Sequence, residues 1–271
     1  MTALFCVLMA ALAGVEDQSV ETKSFDGVKL VIVDNVDGPI QVTGRPGSGV
    51  QLEVRKHINA ETPERLEAAR REVKLDIQQS GDSLKLFVDG PFRCNCKEGS
   101  VRSGHQGYNV TYDFKLSVPR DARVDLYTVN HGNIVVQSVD GDFDVRNVNG
   151  LIDMTDVAGS GKARTVNGPV KVLYSRNPAG PLEFETVNGN VDVAFRKGFG
   201  ARARMQTMNG GMYTDFEVQP EPQEAAVRNR ENGRLVIRSG RSTAVRLGSG
   251  GPDVRLKTLN GDIFIRDREK Q

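Results

Sequence analysis

The chain has no tryptophan, only three cysteines, and few aromatic residues of any kind, 6% of its 271 positions. Its formal net charge is only +1, from 36 Lys and Arg against 35 Asp and Glu. The chain as a whole therefore has no positive electrostatic field that would attract the phosphates of nucleic acid. We therefore expect no nucleic-acid partner. The 29 glycines and 11 prolines show no collagen-like period of three. This composition favours short strands joined by tight turns.

The apolar N-terminal segment is too short for a membrane anchor. Residues 2–15 carry no charge and include Ala11-Leu12-Ala13, a pattern typical of a secretory cleavage site. Its run of about 12 apolar residues falls short of the roughly 20 that span a bilayer, so we expect no integral membrane span. Because no Lys or Arg precedes the run, residues 1–14 resemble a signal peptide that either starts further upstream or is weak. A buried N-terminal strand or helix is the alternative, and export to the periplasm or cell surface is the prediction.

Removal of that segment would leave two cysteines, Cys94 and Cys96, in a polar, glycine-rich stretch. Export would permit a disulfide between them, although a ring closed over one intervening residue is strained. A metal site would also recruit His105, but zinc sites space paired cysteines more widely and need a fourth ligand. A plain loop, with or without the disulfide, is the favoured interpretation.

An Asn-Gly motif recurs along the second half of the chain at steps of 18, 21, 21 and 51 residues. Asn-Gly accepts left-handed backbone and so marks sharp turns. Alternating apolar residues follow each turn, as at Val170 and Val172, which predicts a strand with one buried face. The pairs are Asn149 and Gly150, Asn167 and Gly168, Asn188 and Gly189, Asn209 and Gly210, and Asn260 and Gly261.

A second glycine series between these turns favours stacked coils over hairpins. Its spacings of 18, 21 and 20 residues match those of the first, at Gly141, Gly159, Gly180 and Gly200. Like turns stack on like turns in coils, whereas sequential hairpins give no reason for this interval. The prediction is an all-β fold, a β-solenoid of coils of about 18–21 residues with two short strands each. Asn side chains would then bond from coil to coil, with Asn149, Asn167, Asn188 and Asn209 on successive coils.

Stacking also predicts columns of residues one coil apart. One column points inward and comprises Val145, Ala163, Phe184 and Met205. The adjacent outward column alternates in charge, which is mildly stabilising between neighbouring strands. It comprises Asp144, Lys162, Glu183 and Arg204.

Residues 20–267 are predicted to form one domain, with opening strands and a short helix in 20–125 and repeat coils in 126–267. Thr62 followed by Pro63 and good helix formers predicts a helix over 62–73. Its narrow apolar stripe suits packing on a sheet edge. Further strands are predicted at 28–33, 40–42, 75–77, 84–88 and 110–118.

The opening strand pair, the short charged helix, the Val118-Pro119-Arg120-Asp121 step and the T-V-N-G units resemble a known family. It is the bacterial domain of unknown function numbered 4097, putative adhesins with a β-strand repeat. The resemblance covers about residues 20–267. It implies an envelope-located β-solenoid and supplies no catalytic residues to carry over.

Clustered carboxylates are the main sign of possible enzyme chemistry, at Asp140, Asp142, Asp144, Asp153 and Asp156. Most alternate outward or lie at turns, where water keeps them ionised and unable to donate a proton. A calcium β-roll would need Asp in every turn, where this chain has Asn. We therefore expect no catalytic residues, no metal site and no cofactor.

The leading hypothesis is a non-enzymatic, exported repeat scaffold that binds an envelope protein or glycan. A carbohydrate-active hydrolase or lyase on a β-helix is one alternative, and a membrane-associated sensor or regulatory domain is another. A pair of carboxyls in a groove with perturbed pKa values would favour the enzyme.

Overall fold

A computed structural model describes residues 14–93, 106–221, 228–231, 234–237 and 242–270. These residues are nearly all β, as predicted, in two large mixed sheets and one two-stranded sheet, with one α-helix among them. Residues 1–13, Cys94, Cys96 and His105 lie outside this range. The signal-peptide, disulfide and metal interpretations that depend on them stay predictions.

The first part of the chain contains long strands and the helix. The elements are β1 (Val15–Asp26), β2 (Leu30–Asp34), β3 (Ile40–Arg45), β4 (Gly49–Ala60), α1 (Pro63–Glu72), β5 (Lys74–Ser80), β6 (Ser83–Asp89), β7 (Tyr108–Pro119) and β8 (Arg123–Tyr127).

Shorter strands follow. They are β9 (Ile134–Gln137), β10 (Phe143–Arg146), β11 (Ile152–Val157), β12 (Gly161–Arg164), β13 (Val170–Tyr174), β14 (Leu182–Glu185), β15 (Val191–Phe195), β16 (Ala201–Gln206), β17 (Met212–Thr214), β18 (Val218–Pro220), β19 (Arg228–Glu231), β20 (Arg234–Ile237), β21 (Ser242–Leu247), β22 (Asp253–Lys257) and β23 (Ile263–Asp267). A 3-10 turn at Arg268–Lys270 follows the last of these strands.

From β8 to β18, successive strands alternate between the two large sheets. The ten-stranded sheet has the order β1-β4-β7-β3-β9-β11-β13-β15-β23-β17, and the eleven-stranded sheet has the order β18-β21-β16-β22-β14-β12-β10-β8-β2-β6-β5. From β8 to β13, each strand pairs in parallel with the strand two places further along the chain. Val145 thus lies beside Ala163, and Ala163 lies beside Phe184.

The last two strands are inserted within the stack. Strand β22 lies between β14 and β16, and β23 lies between β15 and β17. Phe184 therefore pairs with Leu256, which in turn pairs with Met205. The prediction that Met205 directly follows Phe184 in the inward column is wrong. After the Asn260 turn the alternating Ile263 and Ile265 are both buried, whereas Met212 and Thr214 after the Asn209 turn are half-buried. The segment around Asn260 therefore suits this inner position better.

Strand β22 also interrupts the predicted outward column between Glu183 and Arg204. Glu183 pairs with Arg255 on β22, and Arg255 pairs with Arg204 on β16. The predicted alternation of charge holds from Asp144 through Lys162 to Glu183. It is wrong at Arg204, which lies beside another arginine.

Buried side chains from the inner faces of both sheets form one hydrophobic core. The Tyr174 and Phe195 rings stack within it, with centroids 5.0 Å apart. Each fully buried aliphatic or aromatic side chain contributes about 1.5–3 kcal/mol. Alternation along the strands places one face in this core and leaves the other face outside.

Helix α1 lies against β4, β7 and β1. Its N-terminus is capped by Thr62, whose hydroxyl oxygen accepts a hydrogen bond from the Arg65 amide at 3.3 Å. Leu66 and Ala69 are its buried residues, and Val73 at its C-cap is buried too. Among the described residues, no helix has the length and apolar character that crossing a membrane requires.

Candidate binding surfaces

Asparagine side chains at one corner of the sheets bond one another from strand pair to strand pair. We call this row the asparagine ladder; in spatial order it comprises Asn130, Asn149, Asn167, Asn188, Asn260 and Asn209. Each later member donates its Nδ2 to the Oδ1 of the member before, at 2.7–3.0 Å. The predicted succession from Asn188 to Asn209 is wrong, because Asn260 lies between them.

The first member of the asparagine ladder, Asn130, was missed from the sequence. His131 separates it from Gly132, so the Asn-Gly signature is interrupted. The preceding Thr128 and Val129 were the available signal, because they reproduce the start of the T-V-N-G unit.

Two positions before each ladder asparagine, a buried polar side chain donates a hydrogen bond to a backbone carbonyl of the neighbouring turn. The Thr165 hydroxyl donates to the Gly150 carbonyl at 2.9 Å, and that of Thr186 donates to the Gly168 carbonyl at 2.7 Å. The equivalent bonds are made by Thr128, Asn147, Thr258 and Thr207. These side chains and the asparagine ladder leave the corner with few polar groups for an external ligand.

We expect replacement of Asn188 with alanine to cost about 1 kcal/mol of unfolding free energy. The change removes the bond that Asn188 donates to Asn167 and the bond that it accepts from Asn260. Asn209→Ala is the matched control, because this last ladder member makes one ladder bond and should cost about half as much. Chemical denaturation of both variants checks this, and equal costs would contradict an additive ladder.

Exposed aliphatic side chains form a stripe beside the asparagine ladder. The corner stripe comprises Val166, Val187, Leu259 and Met208, which are 36–64% exposed. Together with outward residues at the ends of β12, β14, β16 and β22, it lines a groove of about 670 Å³. Because each side chain comes from the second position of a T-x-N-G unit, the stripe is a direct product of the repeat.

A second groove of about 650 Å³ crosses the outer face of the eleven-stranded sheet. We call it the sheet groove. Its charged lining residues are Arg123, Asp142, Asp144, Lys162, Glu183, Arg202, Arg204, Asp253 and Arg255. Opposite charges therefore share one surface that spans six strands.

The charges of that face are not evenly mixed. At one end three carboxylates have arginine partners: Asp34 with Arg93 at 2.9 Å, Asp125 with Arg123 at 3.1 Å and Asp144 with Arg146 at 2.6 Å. The opposite end, which we call the basic end, projects Arg202, Arg204, Arg246, Arg255 and Lys257 from β16, β21 and β22. All five are exposed, and Asp253 is the one carboxylate among the outward residues of these strands described here.

Glu183 lies where the two ends meet. Partial burial raises the pKa of its carboxyl, but the hydrogen bond and charge of Arg164 and the charges of Lys162 and Arg255 outweigh that effect. The net pKa of Glu183 is therefore lowered from its ordinary value. Its oxygen lies 2.8 Å from Arg164 and 3.6 Å from Lys162. It is held as a carboxylate and is unsuited to donating a proton.

The five aspartates of the enzymatic alternative are not brought together as a catalytic pair. Asp144 faces outward from the eleven-stranded sheet and Asp153 faces outward from the ten-stranded sheet, with the core between them. Three bond arginines: Asp140 with Arg120 at 3.1 Å, Asp144 with Arg146 at 2.6 Å and Asp156 with Arg268 at 2.7 Å. None of the five is buried. This geometry suits surface ion pairs better than acid catalysis.

We expect a chelator to leave the melting temperature unchanged. Asparagine occupies the turn positions at which a calcium β-roll has aspartate, and Asn amides bond one another in the asparagine ladder. In the described ranges no three His, Cys, Asp or Glu residues are placed to hold a metal ion. Thermal melts with and without EDTA check this, and a fall of several degrees that calcium reverses would contradict it.

No family model matches the chain, and no curated protein matches it. Membership of the domain family numbered 4097 therefore stays a prediction. A solved structure of a putative cell adhesion protein from Clostridium sporogenes is similar over 93% of this chain and 100% of that one, at 13% identity and a TM-score of 0.44. A putative adhesin from Bacteroides fragilis covers 91% of this chain and 97% of its own, at 12% identity and a TM-score of 0.40. At these sequence identities and TM-scores, the role of neither protein can be assigned to this chain.

Proposed function

We propose that this protein is a non-enzymatic, exported scaffold of the bacterial cell envelope that binds a protein or glycan through its outer faces. The observation that carries the proposal is the sheet groove, a charged surface that continues across strands from several repeats. The polar groups of the turns, by contrast, are used in bonds between neighbouring turns. The repeat thus builds a rigid support and leaves its faces available for binding.

The proposed architecture behind this function is a β-solenoid over residues 20–267. Parallel pairing at intervals of 18 and 21 residues between β10, β12 and β14 supports it. The bonds of the asparagine ladder, which join like turns, support it as well. A rigid stack of this kind presents side chains at the strand spacing of about 4.8 Å, which suits an extended partner.

Binding to envelope material, measured with the purified chain, tests the proposal. Fluorescently labelled protein should bind isolated bacterial envelope saturably, and cell fractionation should place the native protein in the envelope. An unrelated soluble protein of similar net charge is the control. Failure of the chain to bind above that control would contradict the proposal.

The same samples test the enzymatic alternative. We expect no release of reducing sugar or unsaturated product from polysaccharide and glycoside panels, because the aspartates are exposed or half-buried and several are paired with arginine. Turnover that Asp144→Asn or Asp153→Asn abolishes would show that the protein is an enzyme.

A further inference from the structure

We propose that the basic end of the sheet groove binds an acidic polysaccharide, one that bears carboxylate or sulfate groups. This inference rests on the proposed function and names the ligand class of the sheet groove. Its starting point is the pairing of Arg204 with Arg255, which are direct partners on adjacent parallel strands. Arg202 and Arg246 are direct partners across the neighbouring antiparallel pair.

Like charges placed opposite one another on neighbouring strands destabilise a sheet. Within the described residues, Arg202 bonds Asp253 at 3.1 Å and Arg246 bonds the Gln219 side chain at 2.7 Å. Neither Arg204 nor Arg255 has a carboxylate within 4.0 Å among the residues that the structure describes. Arg255 has Glu183 as its strand partner on the other side, but on the side of Arg204 the described residues place no carboxylate. A bound anion would compensate the repulsion there.

The geometry of the basic end suits repeated anionic groups along an extended chain. Adjacent strands place Arg204 and Arg255 about 4.8 Å apart at the backbone, and alternate residues place Arg202 on the same face as Arg204. The planar guanidinium fork binds a carboxylate or sulfate through two parallel hydrogen bonds. Several such bonds in a row would hold a polymer along the sheet groove.

The lining of the sheet groove favours a polysaccharide over nucleic acid or an acidic peptide. Its one aromatic residue, Phe143, is 3% exposed and lies in the core. Single-stranded nucleic acids bind largely by stacking their bases on aromatic side chains, and many protein and peptide partners place aromatic anchors in well-packed pockets. The sheet groove offers neither of these and offers arginine donors instead.

Binding of the full-length chain to immobilised polymers tests the inference. The probes are alginate for carboxylate, dextran sulfate for sulfate and uncharged dextran as the control, with polyglutamate and single-stranded DNA to represent the other polymer classes. We expect alginate or dextran sulfate to bind, with an affinity that falls as salt is raised. Dextran should not bind, and polyglutamate and DNA should bind at least tenfold more weakly.

The variant Arg204→Gln with Arg255→Gln should weaken polysaccharide binding about tenfold, since it removes two exposed ion pairs to the ligand. Arg120→Gln with Arg146→Gln is the matched control, because it removes the same charge from two arginines that pair with carboxylates and do not line the sheet groove. The control should weaken binding less than twofold. The melting temperature adds a separate readout: removal of the repulsion should leave the Arg204 and Arg255 variant as stable as the parent or more so.

Equal weakening by both double variants would overturn the inference, since it would show attraction to charge alone. Equal binding of polyglutamate or DNA would overturn it in the same way. If the chain binds envelope material but neither acidic polysaccharide, this inference fails and the proposed function stands. If nothing in the envelope binds, the proposed function itself fails.

Discussion

Replacing Phe184 with alanine is expected to lower the unfolding free energy by about 3–5 kcal/mol. Its side chain is 0% exposed and lies between Ala163 and Leu256 on the neighbouring strands. Because parallel strands hold both neighbours in place, the cavity cannot collapse easily, and the loss includes contacts as well as transfer free energy. Urea denaturation measures the change.

Tyr213→Ala is the matched aromatic control. Tyr213 is 54% exposed and stacks on Phe264 with ring centroids 5.1 Å apart, so its loss should cost about 1 kcal/mol. A Phe184 variant as stable as the Tyr213 variant would contradict the placement of Phe184 in a close-packed core.

Replacing Gly159 with alanine is expected to cost about 3 kcal/mol, at the upper end of the cost of overpacking. A Cβ at this buried position would overlap the carbonyl group of Gly141 in the neighbouring turn. The obstacle is backbone rather than a flexible side chain, so the two turns would have to move apart. The hydrogen bond from the Phe143 amide to the Ser160 carbonyl, 3.1 Å long, would be strained by that movement.

Gly49→Ala is the control for this substitution. At the start of β4 a new Cβ would meet the Asp26 side chain at 3.2 Å and the Phe25 carbonyl at 3.5 Å, and the position is exposed. We expect a change of about 0.5 kcal/mol or less, as for other surface sites. Thermal melts of the two variants compare their losses of stability. A larger loss for Gly159→Ala measures the effect of close contact between turns, beyond the general effect of removing a glycine.

The repeat region could be predicted well because its determinants are local. Alternation such as that of Val170 and Val172 identifies each short strand, and Asn-Gly identifies each turn. The glycine columns were visible for the same reason, since at most turns a Cβ would meet the backbone of the neighbouring turn; Gly180, which lies against the Ser160 side chain, is an exception. These features recur within about 20 residues, so no long-range information was needed.

The features that depend on distant partners could not be predicted. Strand β1 is almost entirely exposed, so it lacks the apolar alternation that would have identified it. Its pairing with β4 supplies the stabilisation instead. The basic end also escaped notice, because β16 and β22 come together only through the insertion of the last two strands. Arg204 and Arg255 are 51 residues apart in sequence and direct partners in space.

The insertion of β22 and β23 also bears on the order in which the protein can form during synthesis. An array of stacked repeats can grow in the order in which it is translated, each new repeat covering the last. Here the strands that cover β14 and β15 are made after β16 and β17, at residues 253–267. A nascent chain that ends before them leaves Leu182, Phe184 and Val191 without neighbours on one side. Such a chain exposes an open sheet edge to other chains, so nearly the whole chain must be present before the fold is protected from aggregation.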